Sequence, residues 1–168
     1  MSNAFDDLLA ANETYAARFT AGGLAGRAAR GLAVVTCMDS RIEPLQMLGL
    51  SPGDAKILRN AGGRVTGDVL RTLVLAAHLL GVERVMVVQH TDCRMAKVTD
   101  DQAHAAIQDA SGIDTRSLEF HTIPDQQQTL ERDVRRIRSS PYLRESLLVA
   151  GFLYDVSSGR LTVVVPPG

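Results

Sequence analysis

Short apolar runs alternate along this chain with longer stretches of helical spacing. Leu32-Ala-Val-Val-Thr36, Ala55-Lys-Ile-Leu58 and Val85-Met-Val-Val88 are runs of the kind found in buried parallel strands. Between the second and third of these, Asp68 to Leu80 predicts a helix that is apolar on almost every side and is therefore expected to be buried. Thr66 or Asp68 can cap its start and Gly81 its end. Thr99 with Gln102 predicts a capping box ahead of the helical stripe Ala103, Ala106, Ile107 and Ala110. A further helix follows Pro124-Asp125, with Leu130, Val134 and Ile137 on one face. Ser146 to Phe152 predicts a fourth strand, and Ser157-Ser-Gly159 a turn into Leu161-Thr-Val-Val-Val165, a strand most simply placed antiparallel to the fourth.

Strands that alternate with helices predict an α/β fold. The expected form is a doubly wound, mostly parallel sheet of about four parallel strands plus an antiparallel edge strand, with flanking helices. No repeat, linker or low-complexity tract divides residues 1–168, so a single domain is expected. Ahead of the first strand, Phe5, Leu8, Leu9, Tyr15 and Phe19 have loose helical spacing that Gly22-Gly23 ends. Residues 1–25 therefore predict an amphipathic N-terminal arm.

Composition narrows the classes. At 168 residues the chain can bury a substantial core without disulfide support. Hydrophobic residues make up 45% and charged residues 22%, and 18 basic against 19 acidic side chains leave a formal charge of -1, which gives no footprint for nucleic acid. The first twenty residues carry acids where a signal peptide needs a basic region. The richest apolar stretch, Val69 to Leu80, is broken by Arg71, Thr72 and His78, so neither export nor a membrane span is expected. A cytoplasmic location follows, and there the two cysteines are expected as metal ligands or free thiols rather than a disulfide.

Both cysteines fall in one constellation: Cys37-Met-Asp39-Ser-Arg41 at the end of the first strand, and His90-Thr-Asp-Cys93 at the end of the third. Ligands gather beyond the carboxyl ends of strands in such sheets, so topology and residue type agree. Two thiolates and one imidazole suit Zn²⁺, and three protein ligands leave a position for water or substrate. A water there has its pKa lowered towards about 7, and the resulting zinc-bound hydroxide is a nucleophile. Asp39 can orient that water. Arg41, by holding Asp39 through two parallel hydrogen bonds, can keep the carboxylate off the metal. Asp39 is thus expected as a catalytic residue in an open state and as a fourth metal ligand in a closed one. The plain alternative is two buried free thiols; a redox pair is disfavoured because the cysteines are not arranged as C-x-x-C.

The pattern C-x-D-x-R followed by H-x-x-C resembles the beta class of carbonic anhydrases. Arg59-Asn-Ala-Gly-Gly63, Asp68 to Gly81 and Gly151-Phe-Leu-Tyr-Asp155 look like the corresponding pieces of short prokaryotic-type members, so the likeness covers nearly the whole chain from about residue 30. The resemblance implies one zinc per chain on Cys37, His90 and Cys93, with the Asp39 and Arg41 pair beside it. It implies reversible hydration of CO₂ to bicarbonate and a proton. It also implies a homodimer or higher oligomer in which the amino-terminal arm packs on a partner. Family members commonly carry Gly directly after the second Cys, where this chain has Arg94, a cation able to narrow the opening, attract bicarbonate, compete with Arg41 for Asp39, or equally point away into solvent. The absence of Trp removes the Trp-bearing bicarbonate pocket of some members.

Gly62 and Gly63 are expected to let backbone approach the site closely. The Gly62 to Gly67 spacing fails as a phosphate loop, because Asp68 stands where Lys is required. His78 is expected as a core or interface histidine, and His104 and His121 on the surface. Two other activities remain: hydrolysis of carbonyl sulfide or carbon disulfide at the same zinc, or a catalytically idle zinc or bicarbonate-binding module.

Overall fold

The computed structural model describes residues 4–168. Its centre is a five-stranded sheet of β1 (Leu32–Cys37), β2 (Ala55–Asn60), β3 (Arg84–His90), β4 (Leu148–Tyr154) and β5 (Leu161–Val165), ordered β2-β1-β3-β4-β5. The first four are parallel and β5 runs antiparallel to β4, as the pattern predicts. All six residues of β1 are buried, which is why that run contains no polar alternation.

One sheet face carries α3 (Gly67–Leu79) and α5 (Gln126–Arg138), which close Leu73, Ala76, Ala77, Leu130, Val134 and Ile137 over Ala33, Val35, Val85, Val87 and Val149. On the other face Leu32, Val34 and Val88 pack with Met47, Leu48 and Leu50, from the short helix α2 (Pro44–Met47) and the turn after it. The remaining helices are α1 (Asp6–Ala16) and α4 (Asp100–Ser111).

The caps follow the sequence. Thr66 accepts from the Val69 N–H, Asp125 accepts from that of Gln128 at 2.9 Å, and Thr99 with Gln102 forms the reciprocal capping box.

Three expectations are corrected. Helix α3 is only half buried: Val69, Leu73, Ala76 and Ala77 face the sheet, while Leu75 and Leu79 are 45% and 64% exposed. Apolarity on all sides of a helix does not by itself bury each side, and among the described residues nothing covers Leu75 and Leu79. His78, expected in the core or at an interface, is not in the core: it lies on that open side, exposed, with its Nε2 2.9 Å from the Tyr142 carbonyl oxygen. Finally, β4 begins at Leu148 rather than Ser146, because it pairs residue for residue with β3 from Arg84↔Leu148 to His90↔Tyr154, while Leu147 is tied back to the Arg144 carbonyl in a turn.

Candidate metal centre

The sheet puts the two motif segments side by side. Cys37 ends β1 and His90 ends β3, neighbouring parallel strands whose register pairs Thr36 with Val88. After His90 the chain turns through Asp92, which has φ of 57°, and returns Cys93 beneath the strand ends. One donor atom each from Cys37, His90 and Cys93 lies within 4.8 Å of the others, and all three residues are buried.

His90 Nδ1 lies 2.8 Å from the Thr91 carbonyl oxygen, which places the proton on Nδ1 and the free lone pair on Nε2. That Nε2 is buried with no hydrogen-bond partner. A buried polar atom left alone is costly. Next to two sulfurs it fits a metal ion, and an S₂N donor set fits zinc.

The thiols are poised for the same purpose. Hydrogen bonding from the Cys93 thiol, opposed by burial and helped by the Asp39 and Gly62 amides, lowers the Cys37 pKa. The hydrogen bond with Cys37 and burial push Cys93 upward. The two neighbouring thiols share a hydrogen bond that favours one negative charge on the pair over two, and a bound cation would favour the second.

The glycine loop lies against this cluster. The Gly62 N–H donates to Cys37 Sγ at 3.3 Å. A Cβ on Gly63, whose φ is +63°, would stand 3.0 Å from Cys37 N, Thr36 C and Val88 O, all backbone. Only glycine permits that approach.

Asp39 and Arg41 are joined as the spacing predicts. Arg41 Nε donates to Asp39 Oδ1 at 2.9 Å and Nη2 to Oδ2 at 2.8 Å, and the Arg41 amide also donates to Oδ1. These bonds hold the Asp39 carboxyl well below the usual carboxylate range, and the same carboxylate raises Arg41 further. Asp39 Oδ2 lies 3.8 Å from His90 Nε2, so the pair stands at the open side of the donor cluster.

Four supporting residues were not legible beforehand. Arg59 donates to the carbonyls of Cys37 (3.0 Å) and Asp39 (2.7 Å), pinning the segment after β1. Gln126 Nε2 donates to the His90 carbonyl at 2.9 Å. Asp92 accepts from Arg41 and also pairs with Lys97; the lysine first and the arginine second lower its pKa to about 2. Asp92 had one signal, its place inside His90-x-x-Cys93, whereas the other three come from elements whose proximity only the fold creates.

Arg94 sits on the exposed 3₁₀ turn Arg94–Ala96, and no hydrogen bond or ion pair of its side chain occurs among the described residues, so it does not compete with Arg41. His104 and His121 are half-buried rather than on the surface. His104 Nδ1 lies 2.9 Å from Thr115 Oγ1 and its ring stacks on Phe120 at 4.8 Å, while His121 Nε2 lies 3.8 Å from Glu119.

Comparison with known proteins agrees with this geometry. The profile of the family described as Carbonic anhydrase matches residues 32–161. Beta-carbonic anhydrase 1 of Mycobacterium tuberculosis is 40% identical over 162 residues, covering 96% of this chain and 98% of that protein. A carbon disulfide hydrolase of Acidithiobacillus thiooxidans is 30% identical over 152 residues, covering 79% of this chain and 76% of that protein. Among solved structures, a carbonic anhydrase from Streptococcus mutans superposes with a TM-score of 0.90 at 35% identity, covering 98% of this chain and 99% of its own. A donor cluster suited to zinc, an arginine-held aspartate beside it and these likenesses along nearly the whole chain place the protein in the beta-carbonic anhydrase family.

Proposed function

We propose that the protein catalyses the zinc-dependent, reversible hydration of CO₂ to bicarbonate and a proton. The observation that carries this reading is the pairing of two unlike units: a buried S₂N cluster with an unpartnered imidazole nitrogen, and a carboxylate gripped bidentately beside it.

Cys37, Cys93 and His90 Nε2 hold one zinc per chain. When bound, zinc supplies Lewis acidity and a source of hydroxide near neutral pH. Asp39, its charge kept by Arg41, accepts a hydrogen bond from the attacking water and aims a lone pair at the CO₂ carbon. Arg41 holds Asp39 away from the donor cluster; released, the carboxylate would be free to turn towards the metal position and close the site. Gly62 and Gly63 bring backbone against Cys37, and Arg94 at the rim offers a cation to bicarbonate. The chain acts as a single domain of residues 1–168, in the cytoplasm, as a homodimer or higher oligomer. The arm expected over 1–25, of which residues 1–3 lie outside the described residues, packs on a partner: α1 buries none of its residues within its own chain, and Leu32, Leu48, Leu50, Met86, Leu148 and Phe152 line an open apolar groove of about 350 Å³. Among the described residues, no helix is long and apolar enough to cross a membrane.

Stopped-flow CO₂ hydration by zinc-verified protein, from about pH 6.5 to 9, tests the reading. Robust turnover that Arg41→Ala loses is expected; no turnover at full zinc loading overturns it. The likeness to carbon disulfide hydrolases favours one second reading, hydrolysis of carbonyl sulfide or carbon disulfide at the same donors. Sulfide release faster than CO₂ hydration would make it the principal activity.

A further inference from the structure

Arg41 is held by two carboxylates, not one. Its Nε and Nη2 face Asp39, while Nη1 donates to Asp92 Oδ2 at 2.8 Å and Nη2 also to the Asp92 carbonyl at 3.2 Å. Asp92 reaches the guanidinium with both groups because its backbone lies in the left-handed region, with φ of 57°. Aspartate tolerates that region better than most residues but still bears a conformational cost there, and such costs collect where geometry serves function. The second Asp92 oxygen is engaged by Lys97. The result is an alternating line of charge, Lys97, Asp92, Arg41 and Asp39, leading from the surface to the donor cluster.

Without Asp92, one partner would have to orient an arginine side chain that is 44% exposed, against the rotamer freedom of a long flexible chain. With Asp92 the guanidinium is also held along a second edge, through Nη1 and Nη2, so its orientation no longer depends on Asp39 alone.

We infer that Asp92 is a positioning residue: it holds Arg41 in the orientation that keeps Asp39 off the metal, and Lys97 steadies Asp92. This rests on the proposed role of Arg41 as the group that withholds Asp39. Asp92 acts only through Arg41 and touches neither substrate nor metal. Losing it leaves the donor set intact and shifts the balance towards Asp39 as a fourth ligand.

The test uses the full chain loaded with Co²⁺ and titrated with thiocyanate at about pH 8, followed by visible absorbance. Thiocyanate takes the position that Asp39 occupies in the closed form, so its apparent Kd rises as the open fraction falls. Asp92→Gly and Asp92→Asn both accept a positive φ, so both keep the turn; the first removes the carboxylate, the second only its charge. Asp92→Gly is expected to raise the Kd about fivefold, the upper range for a contact between exposed charges, and Asp92→Asn about twofold. Arg41→Ala is expected to raise it about tenfold or more, and adding Asp92→Gly to it to change nothing further. Should Asp92→Gly load cobalt poorly, the Asn variant carries the test. A wild-type Kd in both Asp92 variants alongside a raised Kd in Arg41→Ala overturns the inference, as does an equal effect of Asp92→Gly in the Arg41→Ala background. A wild-type Kd in Arg41→Ala itself overturns the underlying switch, and is distinguishable for that reason.

Discussion

The two halves of the site obey opposite rules. Cys37, His90 and Cys93 are buried, and one of their nitrogens has no partner. Asp39, Arg41, Asp92 and Lys97 are reached by solvent, and each is engaged by a neighbour of opposite charge. In the first group burial makes an unsatisfied donor atom expensive, so the geometry is rigid and waits for a cation. In the second, solvent screens every pair, so one contact can be exchanged for another at small cost. Burial therefore suits the first half to permanent binding, and exposure suits the second to exchangeable contacts.

The largest break in that contrast comes from the buried side. Cys37→Ser is expected to abolish CO₂ hydration and weaken zinc binding by more than about a hundredfold, the upper end of what losing even a supporting residue costs; metal content after dialysis and stopped-flow rates check it. Next is the glycine contact that lets the buried half close. Gly63→Ala sets a Cβ 3.0 Å from three backbone atoms at a positive φ and is expected to destabilise the fold by about 2 kcal/mol, read by urea unfolding.

The exposed half responds to acid. Asp39 and Asp92 have pKa values depressed below their ordinary value of 3.8, Asp92 to about 2. The unfolded chain therefore binds more protons than the folded one in this range. The stability these groups contribute is fully present above about pH 4 and is lost as pH falls towards 2. A Tm that falls over that interval is expected, and less steeply in Arg41→Met, by calorimetry. The smallest effect belongs to Arg94→Gly. Since the Arg94 side chain is exposed and engages neither Asp39 nor Arg41, kcat is expected within about twofold of the parent. A large gain would show that the arginine obstructs the site.

The metal side was legible early for a local reason. Leu32 to Thr36 and Val85 to Val88 are apolar enough to be strands, and a residue following a strand must emerge at its carboxyl end, so Cys37 and His90 had a place before any coordinates. Asp39 and Arg41 were legible because two residues of separation lets a side chain turn back on its neighbour. Arg59, Gln126 and Lys97 were not, since nothing in their own surroundings marks them; their donors reach the site only because β2, α5 and the turn after Cys93 converge there. Helix α3 shows the converse: its apolar pattern is plain, yet Leu75 and Leu79 stay exposed.

The sequence by itself determined the alternation of strands and helices, the capping box at Thr99, and the donor types S, S and N. All of these depend on residues a few positions apart, where periodicity and side-chain reach suffice. Only the tertiary structure decided that Gly63 lies against Cys37, that His90 Nε2 has no partner, and that Arg41 answers to Asp92 as well as to Asp39. Those are relations between segments distant along the chain or turned by an unusual dihedral, and the free energy that selects them comes from packing the whole sheet.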